Sequence, residues 1–250
     1  MSRSISRLSI KVALLSDVHG NLPALHAVLE HARTHDVDQI WNLGDLVGYA
    51  PFPNEVIETL HQTVDHGLVG NYDLKALRFE KKRKKWKRSK SAEKYSALNW
   101  NHDHLSQSSR EILGNLPEEE RLSINGQSVL LVHASPVSNK EALSPETGEG
   151  RLTQLAHAAG ADVVVCGHSH RAFSRRIAGT RFVNPGSVGR PEQGDWRASY
   201  AQVTFGTDTV DVAFFRVAYD IDRVTEAIVR AGLPERFCHV LRLGRRLEDL

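Results

Sequence analysis

The chain has 250 residues, 40% of them hydrophobic and 25% charged, as in an ordinary globular protein. Its 32 basic and 30 acidic side chains nearly cancel, so the overall charge indicates no polyanionic partner. We predict a soluble cytoplasmic protein for three reasons. The two cysteines form no metal or redox pair, the start of the sequence does not resemble a signal peptide, and no apolar run is long enough to span a bilayer.

The first seventy or so residues alternate short apolar runs with amphipathic segments. Strands are predicted at residues 9–15, 38–43 and 64–69. A helix capped by Asn21 follows the first strand, and a second helix is predicted over residues 53–60. The order strand, helix, strand, helix, strand is typical of a largely parallel sheet.

The middle of the chain has a different character. Residues 72–113 have no strand pattern and are predicted to form helices interrupted by a basic block. The turn dipeptide Asn125-Gly126 then predicts a hairpin of two strands, at residues 121–124 and 129–133.

The last hundred residues return to mixed structure. We expect a helix over 151–159 that ends at Gly160, a strand at 161–166, several short strands within 172–217, and helices over 221–231 and 234–241. No internal repeat or flexible linker divides the chain. The sequence therefore predicts a single domain over 1–250, with a helical basic insert at about 74–113 and C-terminal helices at about 219–243.

Metal-type ligands follow the predicted strands. These residues are Asp17, His19, Asp45, Asn71, His133, His168 and His170. In open α/β sheets, ligands collect beyond the carboxyl ends of the strands. In an extended chain, residues two apart point the same way, so Asp17 with His19, and His168 with His170, can act as pairs. One such pair alone is more often an ordinary loop pair, but five coincident strand ends favour a divalent-metal site.

Five ordered blocks carry a resemblance to a known family: SDVHGN, GDLVGY, GNYD, LVHASP and CGHSH. The chain resembles the calcineurin-like metallophosphoesterases. The segments GDLVGYAPFPNEV and NPGSVG are similar to those of the small bacterial and archaeal phosphodiesterase branch. The resemblance implies a four-layer αββα sandwich of the α/β class and a dinuclear metal centre.

By position, the resemblance implies two sets of ligands that share Asp45. One metal would be held by Asp17, His19, Asp45 and His170, and the other by Asp45, Asn71, His133 and His168. Two divalent ions outweigh the two carboxylates, so the centre would attract an anionic phosphoryl group and activate water. Mixed nitrogen and oxygen ligands suit manganese, iron, nickel, cobalt or zinc without choosing among them.

The chain departs from the family pattern at Tyr72. Many members carry a histidine after Gly-Asn, which is proposed to protonate the leaving group. A free tyrosine has a pKa of about 10, a poorer match to neutral pH, so phosphodiesters and nucleotide-type substrates are favoured over phosphomonoesters. Two alternatives stay open, because Tyr72 could be catalytic with Asp45 and Asn71 or could only pack at the rim.

Other candidates concern the substrate. Asn21 caps a helix whose N-terminus points at the crevice and could touch a phosphate oxygen, and Tyr49 and Arg190 are further candidate contacts. Residues 81–90 include eight basic side chains and Trp86. Such a run is usually a solvated face, although it could form a cationic lid for nucleotides or bind a nucleic acid.

The sequence thus predicts a dinuclear metal-dependent phosphoesterase, in which a metal-bound hydroxide attacks a phosphodiester or nucleotide-type small molecule, with manganese one of several suitable metals. Two alternatives remain. The chain could be a non-catalytic protein-binding scaffold on the same fold, or a nuclease that uses residues 81–90. No membrane partner is expected.

Overall fold

The computed structural model describes residues 9–250. Residues 1–8, for which no signal segment is predicted, lie outside the described residues. Within 9–250 there are ten strands: β1 (Ile10–Leu15), β2 (Gln39–Asn42), β3 (His66–Gly67), β4 (Glu119–Ile124), β5 (Gln127–Val132), β6 (Val163–Val165), β7 (Phe173–Ile177), β8 (Thr180–Asn184), β9 (Ala198–Phe205) and β10 (Val210–Val217).

The same residues form nine α-helices and a final 3-10 helix at Leu247–Asp249. The α-helices are α1 (Leu22–Thr34), α2 (Pro53–Thr63), α3 (Asn71–Leu77), α4 (Phe79–Ser89), α5 (Ala92–His104), α6 (Gln107–Asn115), α7 (Glu149–Ala159), α8 (Ile221–Arg230) and α9 (Arg236–Leu243). Across residues 9–250, none of these helices has the length and apolar character needed to cross a bilayer.

The strands form two mixed five-stranded sheets. The first has the order β10-β9-β1-β2-β3, with β1, β2 and β3 parallel and β9 and β10 antiparallel. The second has the order β4-β5-β6-β8-β7, with β5, β6 and β8 parallel. Helices flank both sheets, so the predicted α/β sandwich is confirmed.

Strand alternation explains how the layers pack. In β1, Val12 and Leu14 join an apolar cluster that also contains Val129 and Val163 from the second sheet, so this cluster lies between the sheets. Ala13 and Leu15 face the other way and pack with helices of the first sheet's outer face. A third cluster joins α7 to the outer face of the second sheet.

Several sequence predictions are corrected in extent. The third predicted strand, 64–69, is shortened to His66–Gly67, with Asp65 N–H and Leu68 N–H also donating to β2. It extends no further because Val64 N–H donates to Leu60 O at the end of α2 and Val69 N–H donates to Pro117 O. The segment predicted to be helical contains four helices, α3 to α6, and the turn at Asn125 and Gly126 has the positive φ angles of a tight hairpin.

Candidate metal centre

All seven predicted ligands meet in one crevice at the ends of β1, β2, β5 and β6 and the start of α3. Two groups lie with their ligand atoms within 4.8 Å of one another: Asp17, His19 and His170, and Asp45, His133 and His168. Asp45 lies between the groups, because its Oδ2 is 3.9 Å from His19 Nε2 and its Oδ1 is 3.5 Å from His133 Nε2.

Each of the four histidines uses one ring nitrogen to contact a backbone carbonyl. Nδ1 of His19, His133 and His170 lies 3.0, 2.8 and 2.8 Å from the carbonyl oxygens of Val47, Leu43 and Arg190, and His168 Nε2 lies 3.2 Å from Lys140 O. A carbonyl can only accept, so these nitrogens carry the protons. The second nitrogen of each neutral ring therefore offers a lone pair to the crevice, as metal-binding histidines do.

The first group fits a cation for two further reasons. His19 Nε2 and His170 Nε2 lie 3.0 Å apart, too close for two unshielded lone pairs, so a proton or a metal ion belongs between them. Asp17 Oδ1 is buried and lies 3.2 Å from His170 Nε2, on the same side of the crevice. A buried carboxylate oxygen is costly unless a cation accompanies it.

The electrostatics agree with this geometry. Burial disfavours a charge on His170, yet Asp17 and Glu192 raise the pKa of His170 to about 10. Burial lowers the pKa of His19 to about 4. Without a metal ion, His170 is therefore protonated on both ring nitrogens, and its Nε2 proton lies between Asp17 Oδ1 and the neutral His19 Nε2. A metal ion bound there would take the place of this proton.

Asn71 completes the second group. Its Nδ2 lies 3.1 Å from His133 Nε2 and 2.6 Å from His168 Nδ1, and its Oδ1 accepts from Lys75 Nζ. Amide oxygen and nitrogen have nearly the same shape, so a half-turn of the side chain would present Oδ1 to the two imidazoles. That orientation suits a metal, and it would turn Nδ2 toward Lys75.

The ligand loops are held in an uncommon backbone conformation. Five of the seven ligands have positive φ: Asp17 (55°), His19 (50°), Asp45 (56°), His168 (67°) and His170 (57°). Each such residue costs about 1–3 kcal/mol, so neighbouring contacts must impose it. Asp17 N–H donates to Gly44 O, His19 N–H donates to Asp45 O, and His168 N–H donates to Asp17 Oδ2.

Glycines allow the loops to approach one another closely. A Cβ added to Gly70 would lie 2.0 Å from Asp45 N, and one added to Gly48 would lie 2.4 Å from His19 Nδ1. A Cβ at Gly189 would lie 1.8 Å from Val18 O. Contacts this short are not tolerated, so these glycines are needed for the ligand positions.

The chain was compared with known protein families and structures. The profile of the calcineurin-like phosphoesterase superfamily domain matches residues 10–208. The chain belongs to this superfamily. Phosphoesterases of the superfamily use divalent metals, and the two groups of ligands described above are where this chain could bind them.

Three relatives illustrate the similarity. An uncharacterised protein of Methanocaldococcus jannaschii is 31% identical over 253 residues, covering 94% of this chain and 98% of that protein. A metallophosphoesterase from Sphaerobacter thermophilus superimposes with a TM-score of 0.76 at 29% identity, covering 94% of this chain and 99% of its own. A hypothetical protein from Pyrococcus horikoshii has the same fold, with a TM-score of 0.85 at 24% identity over 95% and 99% of the two chains.

The phosphoesterase crevice has an aromatic and cationic rim. The Tyr72 and Tyr49 hydroxyls are hydrogen-bonded to each other, and both rings pack edge-on against His19, at 5.3 and 5.2 Å between centroids. The Arg190 guanidinium lies over the Tyr49 ring at 4.1 Å and pairs with Glu192. Burial, reinforced by Tyr49, raises the pKa of Tyr72 well above its ordinary value, so Tyr72 stays neutral.

Asn21 forms hydrogen bonds within the protein. It caps α1, since Asn21 Oδ1 accepts from Ala24 N–H, but its Nδ2 donates to Gly189 O and to the Tyr219 hydroxyl. The side chain is fully buried, and both of its amide atoms are satisfied within the protein. These bonds give Asn21 a structural role, and its contact with a phosphate stays a prediction.

Three further residues support the site: Ser187, Asp73 and Glu192. Ser187 Oγ donates to Asp17 O and accepts from Arg190 N–H, so it joins a ligand to the rim. Asp73 accepts from Gly70 N–H and Val47 N–H, and burial raises its pKa to about 7. The NPGSVG segment was the available signal for Ser187, but nothing in the sequence marked Glu192.

The basic run forms most of α4. Its exposed side chains are Lys81, Lys82, Lys84, Lys85, Lys87 and Arg88. Arg83 is paired with Glu80 at 2.9 Å. Most of the run is thus a solvated helix face.

Proposed function

We propose that this protein is a dinuclear metal-dependent phosphoesterase that hydrolyses phosphodiester or nucleotide-type small molecules. The observation that carries the proposal is the set of four imidazoles, each fixed through one nitrogen to a backbone carbonyl, two of them beside Asp17 and two beside Asp45. A non-catalytic scaffold would have no need for this complete ligand set.

Seven residues would hold two ions. Asp17, His19, Asp45 and His170 would bind one, and Asp45, Asn71, His133 and His168 the other. When bound, two such ions polarise a phosphoryl oxygen and lower the pKa of a water between them. The nitrogen and oxygen donors suit manganese, iron, cobalt, nickel or zinc.

The rim residues supply the remaining roles. Arg190 keeps its positive charge at the rim, over the Tyr49 ring, and a guanidinium in this position would attract a phosphoryl oxygen. Tyr49 positions the guanidinium by stacking beneath it. Tyr72 stays neutral and can donate a hydrogen bond to the leaving oxygen, but it gives up its proton less readily than histidine.

This difference supports diesters over monoesters. A phosphomonoester with an alkyl leaving group needs strong protonation of that group, which Tyr72 supplies poorly. Diesters and nucleotide esters with better leaving groups need less protonation of the leaving group. We also propose that the whole chain works as one domain, because the C-terminal Tyr219 contacts Asn21 beside the crevice.

The decisive experiment compares a bis-aryl phosphodiester with an aryl phosphomonoester. Metal-stripped protein is assayed with and without added Mn²⁺, beside Asp45→Asn. We expect manganese-dependent turnover with a diester preference, and loss of turnover in Asp45→Asn. Absence of turnover with every transition metal, although two ions bind each chain, would refute the proposal.

A further inference from the structure

One amide side chain lies buried in the apolar layer on the outer face of the first sheet. Asn42 is the last residue of β2 and is 1% exposed. Ile40, two residues earlier on the same face of the strand, belongs to the apolar cluster of that layer. Asn42 Oδ1 has no hydrogen-bond partner among the described residues. A buried amide without a partner destabilises a fold, so its presence indicates a partner from outside the chain.

The Asn42 side chain lines a cavity of about 270 Å³, here called the Asn42 cavity. Its other walls come from the loop after β2, from α2 and the turn that follows it, from β3 and from α6, and six of these residues are leucine, isoleucine or valine. Among the lining residues His61 alone can carry a charge, and its side chain is exposed. Ile112 and Leu116 are half-buried, so the cavity reaches the protein surface.

Gly67 leaves the amide open to this cavity. It is the register partner of Asn42 in the parallel pair of β2 and β3, so a side chain on residue 67 would lie beside the amide. A Cβ added to Gly67 would lie 3.4 Å from Val64 Cγ2 and 3.6 Å from Leu116 Cδ2, which are ordinary contacts. Crowding therefore does not require this glycine, but any larger residue would fill part of the cavity.

The Asn42 cavity is separate from the metal crevice, because none of the seven predicted ligands lines it. Leu46 does line it and directly follows Asp45 in the chain. Leu46 O also accepts from Gly20 N–H at 2.8 Å, in the loop after β1. The cavity thus lies behind the loop that carries Asp45, and a molecule bound there would contact this loop without meeting the metals.

We infer that the Asn42 cavity binds a small uncharged molecule made of one apolar ring and a hydroxyl group, such as a simple phenol. The inference goes beyond the proposed function and does not depend on it. In another protein an apolar cavity of about 150 Å³ holds benzene. At about 270 Å³, the Asn42 cavity has room for a ring with a short substituent.

The chemistry of the walls selects this class of ligand. The aliphatic side chains would bury the ring, and the single polar group would fix its orientation. A hydroxyl both donates and accepts, so it can bond to whichever end of the Asn42 amide faces it. A charged ligand would lose its water and find no opposite charge in the interior of the cavity.

The test compares p-cresol with toluene, which has the same ring and methyl group but lacks the hydroxyl. NMR titration of the ¹⁵N-labelled chain gives both the affinity and the location of binding. We expect saturable binding of p-cresol, with the largest shifts near Gly67 and Leu116. Toluene should bind at least about tenfold more weakly, because it leaves the amide unpaired.

Three variants isolate the contributions. Asn42→Leu replaces the amide with an apolar group of similar size, so it should keep the parent's Tm and lower p-cresol affinity about tenfold without weakening toluene. Gly67→Val places a side chain in the cavity and should weaken both ligands about tenfold or more. Asn115→Leu, the matched control, changes an exposed residue at the end of α6 that does not line the cavity, and should alter neither affinity.

Three results would overturn the inference. One is the absence of saturable binding of p-cresol to the parent. Another is equal affinity for p-cresol and toluene, because the amide would then take no part in recognition. The third is p-cresol binding that Gly67→Val leaves unchanged, since the ligand would then occupy another place on the protein.

Discussion

His19 and His170 point the same ring nitrogen at each other, with their Nε2 atoms 3.0 Å apart. Neither ring can escape by exchanging tautomers, because both Nδ1 atoms contact backbone carbonyls, those of Val47 and Arg190. The two loops that carry them follow β1 and β6, which belong to different sheets. A cation between these nitrogens would therefore tie the two sheets together at the crevice.

Metal binding should stabilise the fold. An ion that binds only the folded state, supplied about 100-fold above its Kd, adds about 2.7 kcal/mol to the free energy of unfolding. For a chain of this size we expect Tm to rise by roughly 5 to 10 °C when Mn²⁺ is added to stripped protein. Asp45→Asn, the control, should show a much smaller rise. An unchanged Tm with Mn²⁺, Zn²⁺, Co²⁺ and Ni²⁺ alike would contradict the metal centre.

Gly70→Ala should damage the site, because the added Cβ would lie 2.0 Å from Asp45 N and 2.2 Å from Asp45 Oδ1. We expect a loss of about 2 to 4 kcal/mol in unfolding free energy, together with weaker metal binding. Urea unfolding measures the loss of stability, and calorimetry measures metal binding.

Gly114→Ala in α6 is the matched control, since its Cβ would meet nothing within 4 Å. It should stabilise the protein by about 0.5 to 1 kcal/mol. Equal effects of the two substitutions would be inconsistent with the close approach.

Tyr72→His should change the preference between substrates. A histidine here has a pKa nearer neutrality and can protonate a poorer leaving group, so kcat/KM for alkyl phosphomonoesters should rise relative to bis-aryl diesters by about tenfold or more. Tyr72→Phe removes the hydroxyl but keeps the ring over His19. If Tyr72 only packs, Tyr72→Phe should match the parent in kcat for both substrates. If Tyr72 is catalytic, Tyr72→Phe should instead lower kcat, and most for the substrate with the poorer leaving group.

The sequence predicted the features that depend on local pattern. Short apolar strands followed by Asp, Asn and His were enough to bring ligands to one edge, since parallel strands end on the same side of a sheet. Asn21 also caps α1 as its position suggested. The prediction was wrong at the end of the third strand, because Val69 N–H donates to the carbonyl of Pro117, nearly fifty residues later in the chain.

Contacts between distant residues were not accessible in this way. Arg190 and Tyr49 were named as separate candidates, but their stacking at 4.1 Å depends on how the loop after β8 meets the loop after β2. The full burial of Asn21 depends on Tyr219, almost two hundred residues away. The prediction of one domain over the whole chain stays a prediction.

Ser187→Ala should loosen the link between a ligand loop and the rim. Ser187 Oγ donates to Asp17 O at 2.7 Å and accepts from Arg190 N–H at 2.8 Å, and the residue is fully buried. Its removal leaves the buried Arg190 N–H without an acceptor and leaves Asp17 O with only its bond from Gly189 N–H. We therefore expect a loss of about 1 to 3 kcal/mol in unfolding free energy. The measurement is urea unfolding of stripped protein, with exposed Ser108→Ala as the control. A loss no larger than that of Ser108→Ala would show that water replaces both bonds.

Tyr219 should make the protein sensitive to alkaline pH. Burial raises the pKa of Tyr219 to about 12, although its bond with Asn21 acts in the opposite direction. In the unfolded chain a tyrosine releases its proton at a pH of about 10.

Below that pH Tyr219 is protonated in both the folded and the unfolded protein, and its contribution to stability is complete. Between about pH 10 and 12 only the unfolded state ionises, so stability is lost as pH rises, by up to about 2 kcal/mol from this residue. Tyr219→Phe cannot ionise, so its unfolding free energy should fall less steeply from pH 9 to pH 11 than that of the parent. At pH 8 its unfolding free energy should be lower, because the bond with Asn21 is lost. Parallel slopes for the parent and Tyr219→Phe in urea unfolding would mean that the Tyr219 hydroxyl is open to solvent in the folded protein.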